Sequence, residues 1–315
     1  MLRHRFCIGC ADLAGEVEAA VLCPRGEGVA AAVRRGEWEP DGSERYCGRC
    51  GGTVGPHEAT ASGCASCRGK VLAYEGVVRL GAYREPLAGW VGDLKFRREV
   101  GVAKVLGRCL AGAVRERLEG EAEEAWGRAE REVGMAADGG GAGTVDGGDG
   151  AGTRAEVSLA SDGREVGGGA AEAVRRVDWS AVVVTPVPMS EARRLRRGID
   201  HTGQLARAVA RELGVRYVRG LATKWHPPQH LMEGGDRERN LRSAFRVRRG
   251  AAGAMAGKTV ILVDDVLTTG STARAAALAL TGRDDLRFKA ADGGPGGVLL
   301  GVVAVASRSG RGRGG

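Results

Sequence analysis

The sequence predicts an α/β fold whose strands run directly into ligand-binding loops and helices. Two strand-loop-helix units carry that reading. Val260-Ile261-Leu262-Val263 is an apolar, mostly β-branched run of strand length, and after a polar loop Ala273 to Leu280 consists of strong helix formers. Ala181-Val182-Val183-Val184 is a second buried strand, and Leu205, Val209 and Leu213 then mark a helix that Gly214 stops. Val298 to Ala306 adds a final apolar strand. In open α/β sheets ligands sit at the carboxyl ends of strands, so the segments after Val184 and Val263 are the candidate sites.

The second of these segments is the more telling. Asp264 and Asp265 stand at the strand's end, followed by Val266-Leu267-Thr268-Thr269-Gly270-Ser271-Thr272. Unpaired N–H groups at a helix N-terminus, the helix dipole, a glycine that admits close approach and several hydroxyls together cradle a phosphate. Two carboxylates would repel a phosphate bound alone. They suit a ligand with a phosphate at one end and a diol nearby, such as ribose 5-phosphate. A helix start without a ligand needs one Ser, Thr or Asp cap, not this cluster. The segment resembles the signature of the type I phosphoribosyltransferases, which bind phosphoribosyl pyrophosphate (PRPP).

A chain of 315 residues has room for two domains, but its 54 glycines and 4% aromatic content predict that part of it is not packed. A formal charge of +8 permits a nucleic acid or a small polyphosphate as partner, and equally a solvated basic surface. There is no run of about 20 apolar residues to span a membrane, and Met1 to Cys10 has no apolar signal-peptide core. A cytoplasmic location is therefore expected, where thiols stay reduced, and eight cysteines point to metal rather than disulfides.

The cysteines lie in residues 1–70, which read as a cysteine-rich zinc-binding module. Cys47-x-x-Cys50 and Cys64-x-x-Cys67 have the spacing of a zinc ribbon, in which two knuckles complete a tetrahedron of thiolates. Cys7-x-x-Cys10 and Cys23 form an incomplete group, because Gly26 stands where a second knuckle cysteine would. These three either bind zinc with a fourth ligand, such as His4 or Asp12, or are remnants of a lost site. The role is structural in either case, since no general base accompanies the cysteines and so small a region needs metal to fold.

Residues 71–309 read as the second domain. Ala73 to Leu80 suggests a strand, Leu94-Lys95-Phe96 follows, and Leu106, Leu110, Val114 and Leu118 have helical spacing with Cys109 beside them as a core residue. At about 119–176 the pattern gives way to a Gly-rich stretch that reads as a flexible insertion. Thr185-Pro186-Val187-Pro188-Met189-Ser190 is a constrained turn, and Arg193, Arg194, Arg196 and Arg197 after it suit pyrophosphate. Leu221 to Phe245 is a long polar stretch of the kind that forms a lid; its Lys224, Arg237, Arg239 and Arg242 suit closure over a leaving group. His226 and His230 are four apart, but Pro227 and Pro228 argue against a helix presenting them together. Residues 310–315 read as a disordered basic tail.

Taken in order, these segments resemble the ComF family, phosphoribosyltransferase-like proteins linked to natural competence and DNA uptake. The matching pieces are the cysteine knuckles, Tyr74-Glu75-Gly76, Leu94-Lys95-Phe96, Pro186-Val187-Pro188, Arg197-Gly198, Gln229, Arg237-x-x-Asn240, Ala244-Phe245 and the Asp264 to Thr272 loop. Where the family usually has Arg-Gly-Phe-Asn-Gln, this chain has Arg197-Gly198-Ile199-Asp200-His201. The resemblance implies a mostly parallel sheet flanked by helices. It implies that Asp264 and Asp265 hold the ribose hydroxyls directly or through Mg²⁺, as the catalytic pair. Thr268, Thr269, Gly270, Ser271 and Thr272 would hold the 5-phosphate, and Pro186, Val187, Pro188, Arg197, Lys224 and Arg237 the pyrophosphate. Two classes of function follow: transfer of ribose 5-phosphate from PRPP to an unidentified acceptor, or a non-catalytic DNA-uptake factor that contacts single-stranded DNA or import proteins. Trp38 and Trp225 are the candidate stacking platforms, and core packing explains them as well. Nucleobase salvage is a weaker third reading.

Overall fold

The computed structural model describes residues 24–97, 99–138, 177–189, 198–223, 244–282 and 296–306. They fall into two compact units, one of residues 1–115 with 178–315 and one of residues 116–177. The first is built on a five-stranded sheet of β3 (Gly76–Ala82), β4 (Val182–Pro186), β5 (Arg216–Tyr217), β8 (Thr259–Leu267) and β9 (Gly297–Val305). Every neighbouring pair is parallel, in the order β3-β9-β8-β4-β5. Strands β4 and β9 are buried along their whole length, which is why they are apolar without alternation: a parallel sheet is covered on both faces.

The two covers come from different helices. On one face lie α2 (Leu87–Phe96), the start of α3 (Val100–Asp138) and α4 (His201–Leu213). Here Leu106, Leu110, Val114, Leu205 and Val209 are fully buried, and Leu110 packs over Gly301 beside Ile261. On the other face α6 (Ser271–Thr281) sets Ala273, Ala276, Ala277 and Leu280 against Val260, Leu262 and Val302. Small side chains along α6 let the helix lie close to the sheet. The short α5 (Ala252–Met255) joins the same core through Met255.

Ahead of the sheet, α1 (Pro24–Arg34) leads to a small cysteine-bearing hairpin, β1 (Ala59–Thr60) with β2 (Gly63–Cys64). A further antiparallel pair, β6 (Leu221–Thr223) with β7 (Phe245–Val247), closes the root of the long polar segment; residues 224–243, with Lys224, Trp225, Arg237, Arg239 and Arg242, lie outside the described residues. So do Cys7, Cys10 and Cys23, Arg193 to Arg197, and the tail.

Several elements differ in extent from the sequence reading. Strand β8 does not stop at Val263 but runs through both aspartates to Leu267, because β9 pairs with it as far as Val305. Helix α3 continues to Asp138, well into the stretch from Glu119 where the sequence pattern fades. Glu, Ala and Arg dominate there, and Arg117 reaches Glu121 one turn on at 2.5 Å, so helix propensity sustains what apolar spacing does not mark. Residues 139–176 lie outside the described residues. No helix among the described residues is long and apolar enough to cross a membrane.

Candidate functional site

The described residues present a thiol cluster at one edge of the sheet and a crevice at its carboxyl end as candidate sites. The cluster gathers the Sγ atoms of Cys47, Cys50, Cys64 and Cys67 within 4.8 Å of one another. Two knuckles aim them: the N–H of Gly51 bonds the carbonyl of Cys47 at 2.7 Å, and the N–H groups of Cys67 and Arg68 bond that of Cys64. Sγ of Cys47 lies 3.7 Å from that of Cys67, Cys50 lies 3.7 Å from Cys64, and Cys64 lies 3.9 Å from Cys67. A tetrahedron with metal–sulfur bonds of about 2.3 Å has sulfur–sulfur edges of roughly 3.8 Å, so the four thiols fit a tetrathiolate metal site. Burial pushes the Cys47 thiol up, but the backbone N–H groups of its knuckle outweigh that and bring it down to about 7. Burial drives Cys50 the other way, well above the ordinary thiol range.

This cluster is fastened to the sheet. Gly51 has φ 75°, and a Cβ there would come within 2.9 Å of Val77, so only glycine lets the knuckle sit on β3. The N–H of Val77 bonds the Gly48 carbonyl at 2.7 Å. Arg79 of β3 is buried, and Nη1 donates to the Gly51 carbonyl at 2.7 Å and to Thr53 Oγ1 at 3.0 Å, while Nη2 pairs with Asp41 at 2.7 Å. Its guanidinium also lies over the Tyr46 ring at 5.1 Å. Nothing in the sequence pattern marked Arg79, which sits inside an otherwise apolar strand.

The crevice follows from topology. From β4 the chain turns through α4 to β5 on one side, and from β8 it turns through α6 to β9 on the other. The sheet therefore changes direction between the carboxyl ends of β4 and β8, which is where α/β sheets bind ligands. Both candidate loops of the sequence reading arrive there. Pro186 ends β4 opposite Val263, and the N–H of Val187 bonds the Val263 carbonyl at 2.8 Å, which sets Pro186-Val187-Pro188 beside Asp264. Beyond β8, Thr268 and Thr269 are exposed and Gly270 takes φ 78° as N-cap of α6, with no side-chain cap bond. The hydroxyls of Thr269 and Ser271 are 2.8 Å apart, and Thr272 is exposed on the first turn.

The two aspartates differ in setting because neighbours in a strand face opposite sides. Asp264 is half-buried, and its Oδ1 accepts the Asp265 N–H at 2.9 Å. Asp265 is buried on the α2/α4 side, where Lys95 Nζ stands 3.1 Å from Oδ1 and His201 Nε2 stands 2.5 Å from Oδ2. Burial raises the Asp265 carboxyl, but the bond from His201 and the charge of Lys95 prevail and hold it below the ordinary carboxylate range. An ionised carboxylate only accepts, so Nε2 of His201 carries the proton in this bond. His201 opens α4, whose N-cap Asp200 accepts from the Gly203 N–H at 3.1 Å. The sequence reading missed Lys95 and His201 as partners of Asp265. The signal lay in the segments of resemblance, since Leu94-Lys95-Phe96 and Arg197-Gly198-Ile199-Asp200-His201 both end here, with buried Tyr74 beside Gly270 as a third. Of the proposed stacking residues, Trp38 packs edge-on against Trp90, with ring centroids 5.1 Å apart.

No protein-family model matches the chain. DNA utilization protein YhgH of Escherichia coli O6:H1 is 33% identical over 91 residues, 28% of this chain and 38% of that protein. The chain thus spans little more than a third of the YhgH proteins it matches, the K12 protein included at 32% identity. Competence protein F of Haemophilus influenzae is 23% identical over 229 residues, 72% of this chain and 74% of that protein. Among solved structures, the allosteric regulatory enzyme of purine biosynthesis is similar at TM-score 0.25 and 23% identity over 38% of this chain and 21% of that one. Glutamine PRPP amidotransferase from B. subtilis is similar at TM-score 0.24 and 20% identity over 38% and 22%. Its parallel sheet, its four-cysteine knuckle pair and its likeness to competence protein F over most of its length support a ComF family assignment for the chain.

Proposed function

We propose that the crevice between β4 and β8 binds PRPP with Mg²⁺ and serves transfer of its ribose 5-phosphate to an acceptor. The observation that carries this reading is the meeting of four distant segments, ending in Pro188, Lys95, His201 and Thr272, around one pair of aspartates at a topological switch. The 5-phosphate sits on the open first turn of α6, with hydroxyls from Thr268 to Thr272. Asp264, half-exposed, takes the ribose diol. Asp265, locked between Lys95 and His201, supplies fixed negative charge below the ribosyl carbon, where positive charge develops as the bond to pyrophosphate breaks and the bond to the acceptor forms. Mg²⁺ would neutralise the pyrophosphate while keeping several waters. Pro186 to Pro188 lie on the leaving-group side, and Arg197, Lys224 and Arg237 belong to the segments proposed to close over it. The thiol cluster binds one structural Zn²⁺. The names of the relatives support a role in DNA uptake or utilisation, served by this phosphoribosyltransferase-like domain.

Calorimetry with PRPP and Mg²⁺ tests the reading. Native protein is expected to bind, and Asp264→Asn to lose at least tenfold in affinity with an unchanged circular dichroism spectrum. A folded native protein that does not bind PRPP would refute it and leave the non-catalytic DNA-uptake reading, which the relatives' names favour, as the working one.

A further inference from the structure

We propose that the β5 edge of the sheet carries a second anion site, which takes the phosphate groups of a nucleotide or of a nucleic-acid strand. A cleft of about 310 Å³ opens there, lined by Arg216, Tyr217 and Arg219 on one side and by Arg248 and Arg249 on the other. All four arginines are exposed. The one carboxylate bonded to any of them among the described residues is Asp200, 3.4 Å from Nη2 of Arg219. Arg216, Arg248 and Arg249 have no ion pair among the described residues, so the rim holds an excess of guanidinium charge. A protein surface ordinarily disperses like charge; guanidinium groups gathered around a concavity match phosphate, which accepts their paired N–H bonds.

The wall of the cleft points the same way. Tyr217 lines it, and Arg207 lies over the Tyr217 ring at 4.8 Å. The Tyr217 hydroxyl is shielded from solvent and has no hydrogen-bond partner among the described residues. Burial pushes this phenol above its ordinary value, ahead of the opposing pull of Arg207, so it keeps its proton. Strand β5 is two strands from β8, on the order of 10 Å across the sheet. The cleft is therefore separate from the crevice, and its assignment does not rest on the PRPP reading.

The test titrates the full chain with a fluorescently labelled 20-residue oligothymidylate and with dTTP, at several salt concentrations. For a strand held through four phosphates, log K falls against log salt with a slope of about −3, from roughly −0.7 per contact. The triple variant R216Q/R248Q/R249Q is expected to bind at least tenfold more weakly with a shallower slope, and Tyr217→Phe to weaken binding severalfold. Affinity that rises with strand length identifies a strand as ligand; full competition by dTTP at one equivalent identifies a nucleotide. If native protein binds neither probe, or the triple variant binds both as native does, the site is refuted. PRPP calorimetry on the same triple variant keeps the two readings apart: it is expected to be unchanged, and its failure on native protein would sink only the PRPP reading.

Discussion

Replacing Lys95 by Met tests the electrostatic core of the crevice. Lys95 is 17% exposed and the carboxylate it meets is 9% exposed, so the pair at 3.1 Å is mostly withdrawn from water. Removing one member of a buried pair leaves the other uncompensated, at a cost of roughly 3–5 kcal/mol. The remaining bond from His201 and the residual exposure of Lys95 put the expected loss at the lower end, about 3 kcal/mol. That is a large part of the ~5–15 kcal/mol typical of a domain, yet short of unfolding most of them. Urea denaturation at pH 7 measures it. The double variant Lys95→Met/Asp265→Asn removes both charges and should be less destabilised than the sum of the single variants, by about 1–3 kcal/mol of coupling. The acid limb gives a second reading. Asp265 is held below its unfolded pKa, so its contribution is complete above about pH 4 and disappears as pH falls through the folded value. Lys95→Met should shrink that contribution. Additive single variants, or an unchanged acid limb, would refute the assignment of Lys95 as the counter-charge.

Asp41→Asn strands the buried guanidinium of Arg79 and should cost about 3 kcal/mol in the same denaturation assay, a loss that a solvated surface pair would not produce. A strong zinc chelator, or Cys64→Ser, should strip one metal per chain; hydrogen exchange should then show protection lost over residues 46–70 while β8 and β9 keep theirs, and simultaneous loss in both would contradict it. Gly270→Val forces a β-branched residue to φ 78° at the mouth of the loop proposed to hold the 5-phosphate; calorimetry should show PRPP affinity at least tenfold lower, with a stability loss of about 1–2 kcal/mol. His201→Gln should keep PRPP affinity within a few-fold because an amide N–H can reach the same carboxylate, whereas His201→Leu should lower affinity and stability together.

What could be read from the sequence was whatever a local pattern encodes. The apolar runs at 181–184, 260–263 and 298–306 and the glycine stop at Gly214 reflect strand burial and helix capping, which are set by neighbours in sequence. The knuckles of Cys47 and Cys64 are legible for the same reason, since C-x-x-C fixes two ligands within one turn. Pairings across the fold were not legible. Arg79 looks like an interruption in a strand until Asp41 and the Gly51 carbonyl are brought to it. Lys95 looks like the solvated end of a helix, and Asp265 looks like an equal of Asp264, until α2 and α4 pack on one face of β8 and separate the two carboxylates. The strands β6 and β7 were missed because three residues are too few for a period to show.

The departure at Asp200 and His201 becomes intelligible once their partners are known. Residue 200 caps α4 through a side-chain oxygen that accepts the Gly203 N–H, and Asn and Asp do this about equally well. Residue 201 presents an N–H to the buried Asp265, which the amide of Gln or the ring of His can both supply. An Asp-His pair can therefore take over what Asn-Gln would do in this backbone, with one physical difference. The acid at 200 also attracts Arg219, at 3.4 Å, from the arginine cleft. One helix start then touches two sites, with its cap leaning on the cleft at β5 and its first side chain locking the carboxylate at the crevice. Whatever occupies the cleft competes with Asp200 for Arg219, and the backbone that Asp200 caps is the backbone that aims His201 at Asp265. That turn places one contact toward each of the two proposed sites.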